Sequence, residues 1–350
     1  MNAERDLSNK LTLDGLSQRK NHFKKIFFYR VCGTGMGAAA CLLREAGYQV
    51  EGADEKFYPP MGDYLKASGI PLYSMDQVTP ELLKQFDLIV VGNVVGGNSN
   101  DARTIEKTGV AFCSFPAALG GLVLDTQNVV GIAGTHGKTT TTYLAMQVFK
   151  NLGADPGYFI GGVLEGSNSS HLGDGSFFFI EADEYDSAYF EKISKFRLYS
   201  LNHLILTSLE FDHADIFSGI KEIQDQFYAV LPQLDGKVIL CNDYPAAVEL
   251  KSVLKTQEMA HDHELWWVYG KKSEAGPRII KEDASGTGFY LKARETIWEF
   301  QTNLVGQHNI YNLSAVLLFA FSVGVEGERL QAAVKNLSMV KRRQELRGNY

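Results

Sequence analysis

Apolar and polar positions along the chain fall into blocks of the lengths that strands and helices need. The apolar run from Lys25 to Cys32 predicts a buried strand that ends in Gly33-Thr-Gly-Met-Gly37. A helix over Ala38–Ala46 follows, with Gly47 in the position that closes helices, and then a strand over Tyr48–Ala53 that delivers Asp54 at its end. Strand, glycine turn, helix, strand and acid make a mononucleotide-binding βαβ unit. The alternation continues with helices at Gly62–Ser68, Pro80–Gln85 and Ala102–Thr108, and strands at Leu88–Gly92 and Val110–Cys113. Residues 23–124 thus read as one doubly wound, Rossmann-like α/β domain, with residues 1–22 a polar arm ahead of it.

The polar stretch Asp125-Thr-Gln-Asn128 is a junction, after which a second α/β pattern begins. Its predicted strands are Val129–Ala133, Phe177–Glu181, His203–Leu209 and Lys237–Cys241, separated by helices at Thr139–Leu152, Ile220–Leu231 and Tyr244–Thr256. From Glu264 to Phe300 the pattern is strand-like with turns, and two helices follow, Asn309–Val323 and Glu328–Leu337. Residues 125–340 therefore read as a second domain with a mostly parallel central sheet, and 341–350 as the start of a hinge.

Composition narrows the class. At 350 residues, 45% hydrophobic and 21% charged, the chain can bury two ordinary cores. A net charge of −7 disfavours a general nucleic-acid binder. Cys32, Cys41, Cys113 and Cys241 are scattered without a C-x-x-C pair, which suits a reducing compartment. The polar N-terminus has no signal-peptide core, and the longest apolar run, Ala315–Val325, is about half a membrane span. A cytoplasmic protein with no membrane or nucleic-acid partner is expected; the sequence is silent on oligomeric state.

The strongest chemical signal is Gly131-Ile-Ala-Gly-Thr-His-Gly-Lys-Thr-Thr140, set between a predicted strand and a predicted helix. Backbone N–H groups of this loop and the helix N-terminus would cradle phosphates. Lys138 would neutralise them and the Thr139 hydroxyl would reach Mg²⁺. The spacing is irregular, because the usual loop has a glycine where Ile132 stands. The apolar strand before Glu181-Ala-Asp-Glu184 ends in three acids, where phosphate-loop proteins hold Mg²⁺, and Glu181 is the metal candidate. Asp183 and Glu184 fit either a supporting role or a helix N-terminus. Glu210-Phe-Asp-His213 ends the next strand, with His213 a metal or phosphate contact. Gly33-Thr-Gly-Met-Gly37 is G-x-G-x-G, a weak dinucleotide signal that tight packing also explains. Asp54 fits a ribose or base contact and a turn cap equally. Asn309 and Asn312 share a helix face and could read an adenine edge, although Asn309 also suits a cap. The basic cluster Lys341-Arg-Arg343 is either a solvated patch or a phosphate contact. Trp266 and Trp267 read as core, and Cys32 as a small packed residue.

Together these features resemble the Mur ligase family, ATP-dependent amide-forming enzymes of bacterial cell-wall synthesis. The motifs Gly134–Thr140, Glu181–Glu184, Glu210–His213 and Gly306-Gln-His-Asn-Ile-Tyr-Asn312 occur in the family's order, and its phosphate loop accounts for the irregular spacing. Tyr58-Pro-Pro-Met61, Ile160–Val163, Glu181–Asp186, Ser194-Lys-Phe196, Leu209–Phe217 and Arg342–Gly348 are most similar to one branch. That branch joins UDP-N-acetylmuramate to the tripeptide L-alanyl-γ-D-glutamyl-meso-diaminopimelate; the branch that adds L-alanine is less alike.

The resemblance implies a UDP-sugar site at Gly33, Thr34, Gly35, Met36, Gly37, Asp54 and His136. It implies an ATP site at Gly134–Thr140, Asn309, Asn312 and Arg343. Catalysis would fall to Lys138, Glu181 and His213, and Mg²⁺ to Thr139, Glu181 and His213. It also implies a third domain beyond Tyr350, without which little ligation is expected. Arg30 replaces a small residue at the end of the first strand, and Ser208 a familiar Asn before the Glu210 motif. A nucleotide-dependent binding module is the rival from another class. A dehydrogenase would rest on Gly33–Gly37 alone.

Overall fold

The computed structural model describes residues 5–162, 168–212, 214–256 and 266–339. The first domain runs α1 (Leu13–Arg19), β1 (Lys25–Tyr29), α2 (Thr34–Glu45), β2 (Gln49–Asp54), α3 (Met61–Ala67), β3 (Leu72–Ser74), α4 (Pro80–Leu83), β4 (Leu88–Val91), α5 (Asn100–Lys107), β5 (Ala111–Ser114) and α6 (Phe115–Leu122). Its five strands form a parallel sheet in the order β3-β2-β1-β4-β5. Ile26 and Phe28 face α2 and α6, while Phe27 and Tyr29 face Leu83, Phe86 and Ile105. A strand covered on both sides must be apolar throughout, which is why β1 reads as a run and not as an alternation.

Two local features depart from expectation. The predicted polar arm contains α1, whose Leu16 is fully buried and whose first turn is capped by Thr12. The helix packs on α6, where a side chain at Gly120 would strike Leu13 and the carbonyl of Leu198. The second feature is the start of α2 at Thr34, earlier than Ala38, so Gly35 and Gly37 lie inside the helix and not in a turn before it. Gly37 is set by close packing, because a Cβ there would collide with Met61.

The second domain contains β6 (Val129–Ala133), α7 (Lys138–Asn151), β7 (Gly157–Phe159), β8 (Ser170–His171), β9 (Phe178–Glu181), β10 (Asp186–Ala188), β11 (Glu191–Ser194), β12 (His203–Leu206), α8 (Ile220–Val230), β13 (Val238–Cys241), α9 (Pro245–Thr256) and β14 (Trp266–Tyr269). The seven-stranded sheet has the order β14-β13-β12-β6-β9-β7-β8, parallel except for the β7–β8 pair. Strands β15 (Arg278–Asp283), β16 (Gly286–Ala293) and β17 (Thr296–Thr302) form a separate antiparallel sheet. Helix α10 (Gln307–Ser322) lies between the two sheets, with α11 (Gly327–Ala333) after it. Covered on all sides, α10 buries Leu313, Val316, Leu317 and Phe319, so it shows no polar stripe. Trp266 and Trp267, read as core, are only partly buried on the edge strand β14.

The domains share a continuous apolar core in which Leu119 and Phe115 join Phe159, Phe196 and Leu198. Two small elements reinforce the seam. Ser170 Oγ on β8 donates to the carbonyl of Ala38 at 2.8 Å, and His171 lies 2.7 Å from Glu45. The β10–β11 ribbon sets Phe190 against Phe112 with ring centroids 5.1 Å apart. Tyr189 donates to Glu106 at 2.9 Å, and Ser114 donates to the buried Glu191.

Candidate active site

Strand β6 is the central strand of its sheet, and its carboxyl end feeds the loop Gly134–Gly137 and then α7. Gly134 has φ +140°, and Gly137 has φ +85° at the helix N-cap, where no side chain caps the first turn. The uncapped amides are the groups that would meet an anion. The neighbouring strand holds the loop in place. Ser208 Oγ accepts from His136 N at 2.9 Å, Thr207 Oγ1 donates to the His136 carbonyl at 2.7 Å, and Thr135 Oγ1 accepts from Glu210 N at 2.8 Å. Ser208 thus serves the loop directly.

Lys138 Nζ donates to the Gly134 carbonyl at 2.7 Å and to Glu184 Oε2 at 2.9 Å. Thr139 Oγ1 donates to Glu181 Oε2 at 3.1 Å, and Gly161 N donates to the other oxygen at 3.0 Å. Desolvation pushes the Glu181 carboxyl up to about 7, against the pull of these hydrogen bonds. Burial also raises Glu184, opposed by Lys138. Asp183 goes the other way: burial raises it, but the charges of Lys195, 2.6 Å away, and of Lys138 outweigh that. A desolvated carboxylate oxygen beside a threonine hydroxyl is a donor set suited to a hard divalent cation. Among the described residues no cluster of three or more His, Cys, Asp or Glu side chains is arranged for a metal. His213 and Arg343 lie outside the described residues.

A cleft of about 580 Å³ opens beside the loop. It is lined by His136, Gly137 and Thr140 from the loop and α7, Asn312 and Tyr311 from α10, and Tyr269 from β14. Asn312 approaches the loop so closely that a Cβ on Gly137 would stand 2.7 Å from its Oδ1. Asn309 is buried, donates to the Val305 carbonyl at 2.7 Å, and leaves its Oδ1 without a partner among the described residues. His136 is 71% exposed, 3.7 Å from Glu210. Sequence reasoning missed Asp243, Tyr244 and Lys271, which also line the cleft. Their signal was position, since they follow the carboxyl ends of β13 and β14, the edge where open α/β sheets bind ligands.

In the first domain Gly33 is the N-cap of α2, again without a side-chain cap. Asp54 Oδ2 accepts from Cys32 N at 2.7 Å and so holds the turn after β1. Arg30, at φ +69°, reaches Asp101 at 2.6 Å and Glu55 at 2.7 Å, which ties that turn to the ends of β2 and α5. Cys32 is buried and its thiol is raised by desolvation, as suits a packing residue. Among the described residues no helix is long and apolar enough to cross a membrane.

Comparison with known proteins identifies the family. Residues 25–126 match the model described as "Mur ligase family, catalytic domain", and residues 132–320 the "Mur ligase middle domain". The UDP-N-acetylmuramate–L-alanyl-γ-D-glutamyl-meso-2,6-diaminoheptandioate ligase of Escherichia coli is 36% identical over 336 residues, covering 93% of this chain and 70% of that protein. The UDP-N-acetylmuramate–L-alanine ligase of Lactobacillus delbrueckii is 28% identical, covering 91% and 68%. The crystal structure of the UDP-N-acetylmuramate:L-alanyl-γ-D-glutamyl-meso-diaminopimelate ligase from Neisseria meningitidis superposes with a TM-score of 0.80 at 33% identity, covering 91% of this chain and 100% of that one. With both domain models matched in order and a relative of this identity aligned over nearly all of the chain, the protein belongs to the Mur ligase family.

Proposed function

We propose that the chain carries the UDP-sugar and ATP sites of an ATP-dependent ligase that joins UDP-N-acetylmuramate to L-alanyl-γ-D-glutamyl-meso-diaminopimelate. The observation that carries the reading is the pairing of Lys138 with Glu184 and Thr139 with Glu181 at the loop, next to a domain whose α2 begins in uncapped glycine. The muramate carboxylate attacks the γ-phosphate of ATP, giving an acyl phosphate and ADP. The tripeptide amine then attacks the acyl carbon, forming the amide and expelling phosphate. Such chemistry asks the protein mainly for positioning and charge neutralisation.

In this reading Lys138 and the amides of Gly134–Thr140 hold the β- and γ-phosphates. Asn309 and Asn312 meet the adenine, and Arg343 an ATP phosphate. Thr139 and Glu181 would hold one Mg²⁺ and His213 a second, and these ions would offset charge on the transferring phosphoryl group. Gly33–Gly37 take the diphosphate, Asp54 lies by the uridine, and His136 by the muramate side. The greater identity to relatives named for the tripeptide, 36% against 28% for a relative named for L-alanine, favours the tripeptide as acceptor.

Isothermal titration with UDP-N-acetylmuramate is expected to show saturable binding to this chain. Its absence would favour a nucleotide-dependent binding module. Phosphate release with the tripeptide against L-alanine separates the acceptors, and a preference for L-alanine would overturn the one chosen.

A further inference from the structure

Between Asp183 and Lys195 the chain leaves the phosphate-loop site, touches the first domain with Tyr189 and Phe190, and comes back. Ser194 Oγ donates to the Glu184 carbonyl at 2.7 Å and Lys195 N to the Tyr185 carbonyl at 3.0 Å, which closes the excursion. The return brings the Lys195 ammonium to 2.6 Å from Asp183 Oδ2, with its side chain only 12% exposed. The rings of Tyr185 and Phe115 flank it, with centroids at 5.5 Å and 5.9 Å. Phe115 belongs to the first domain, and a Cβ on Gly35 would stand 3.2 Å from its Cζ. Lys195 is therefore one aromatic ring away from the glycine-rich start of α2 and one carboxylate away from the acids at the phosphate loop.

A simple ion pair with Asp183 uses too little of this group. An ammonium has three donors, and among the described residues Asp183 is the one acceptor that Lys195 meets. Lys138 is already engaged with Glu184, so Lys195 is a second cation at the same seam. The uncapped start of α2 lies beyond Phe115, against which Gly35 packs, so an anion bridging the two would have donors on both flanks.

We propose that Lys195 is a substrate-binding residue whose ammonium takes an anionic group of UDP-N-acetylmuramate, its diphosphate or its carboxylate, where the start of α2 meets the phosphate-loop domain. The inference rests on the reading of this chain as carrying a UDP-N-acetylmuramate site.

Calorimetric titration of the wild-type chain, Lys195→Gln and Lys195→Arg with UDP-N-acetylmuramate, UDP-N-acetylglucosamine and MgATP tests it. Lys195→Gln is expected to weaken UDP-N-acetylmuramate by about ten- to a hundredfold, the usual range for losing a charged contact, with Lys195→Arg recovering most of it. MgATP affinity should stay within about twofold. If the carboxylate is the partner, the glucosamine nucleotide, which lacks one, is unaffected by Lys195→Gln. If the diphosphate is the partner, both sugar nucleotides weaken alike. Wild-type binding with no loss in Lys195→Gln would overturn the proposal. So would an equal loss of UDP-sugar and MgATP affinity alongside a lower unfolding temperature, because that marks a structural ion pair. Failure of the wild-type chain to bind UDP-N-acetylmuramate would instead remove the functional reading, and this inference with it.

Discussion

Gly134 turns the chain from β6 into the phosphate loop at φ +140°, a backbone region that side chains strain to enter. A methyl group there would also collide with the Thr207 hydroxyl that fastens the loop. Gly134→Ala should therefore weaken MgATP by about five- to a hundredfold, on a strain of about 1–3 kcal/mol, and leave the distant α1–α6 packing unchanged. Titration together with amide exchange would show both, and unaltered nucleotide affinity would refute the role given to the loop. His203 makes a different point at the same scale. Its Nδ1 accepts from Lys237 N at 2.7 Å and its Nε2 lies 2.9 Å from Asn128 Oδ1, so the neutral ring with the proton on Nε2 fits. Desolvation lowers its pKa to about 4, below the value near 6.5 expected unfolded. The unfolded chain thus binds the extra proton first, so stability is present above pH 6.5 and is lost as pH falls toward 4. His203→Gln should be less stable at neutral pH yet lose less on acidification, as followed by urea unfolding across that window. Lys138, Thr139 and Glu181 were legible in the sequence because motif spacing dictates their neighbours. The service of Ser208 to the loop and the pairing of Lys195 with Asp183 were not, since each depends on a strand or ribbon returning from elsewhere.

Among the elements, the buried strands β1, β4, β6, β9, β12 and β13 could be read as apolar runs bounded by glycine, polar or acidic residues. The pairs β7–β8 and β10–β11 could not. With two to four residues each, and with Ser170, His171, Glu191 and Lys192 among them, they have little strand preference and exist through tertiary contacts. The start of α2 was hidden for another reason: glycines lower helix propensity, yet Gly37 is what lets the first turn of α2 lie against Met61. The β10–β11 ribbon has a measurable consequence. Glu191 is 8% exposed, accepts from Ser114 and lies 3.5 Å from Lys10. Glu191→Ala should cost about 2–4 kcal/mol, because the buried Ser114 hydroxyl loses its acceptor and the Lys10 ammonium keeps only the Phe190 carbonyl, whereas Glu191→Gln keeps an acceptor and should cost less. Equal losses for the two variants, read from denaturant midpoints, would show that packing and not this contact fastens the ribbon.

In the whole molecule, a linear reading separates the chain at Asp125–Asn128, yet the largest core runs through that junction. Leu119, Val123 and Leu124 from one side pack with Val129, Phe178 and Phe196 from the other, and β8, the ribbon and α1–α6 add contacts across or beside the seam. Two domains that share a core should not melt separately. A ligand that binds the folded second domain at a hundred times its dissociation constant stabilises by about 2.7 kcal/mol. With independent domains that protection would stop at the junction. With a shared core it should reach the first domain, so MgATP is expected to slow hydrogen exchange in β1, β4 and β5 as well as in β6 and β12. The amides to watch are those of Ile26–Tyr29 and Phe112–Ser114, which exchange only when their strands open and which lie in a different sheet from the phosphate loop. If their exchange is unchanged by saturating MgATP while β6 is protected, the seam opens more readily than its buried core implies. If their exchange does slow, the Glu191→Ala variant, whose ribbon is loosened at the seam, is expected to show less of that slowing than the wild type.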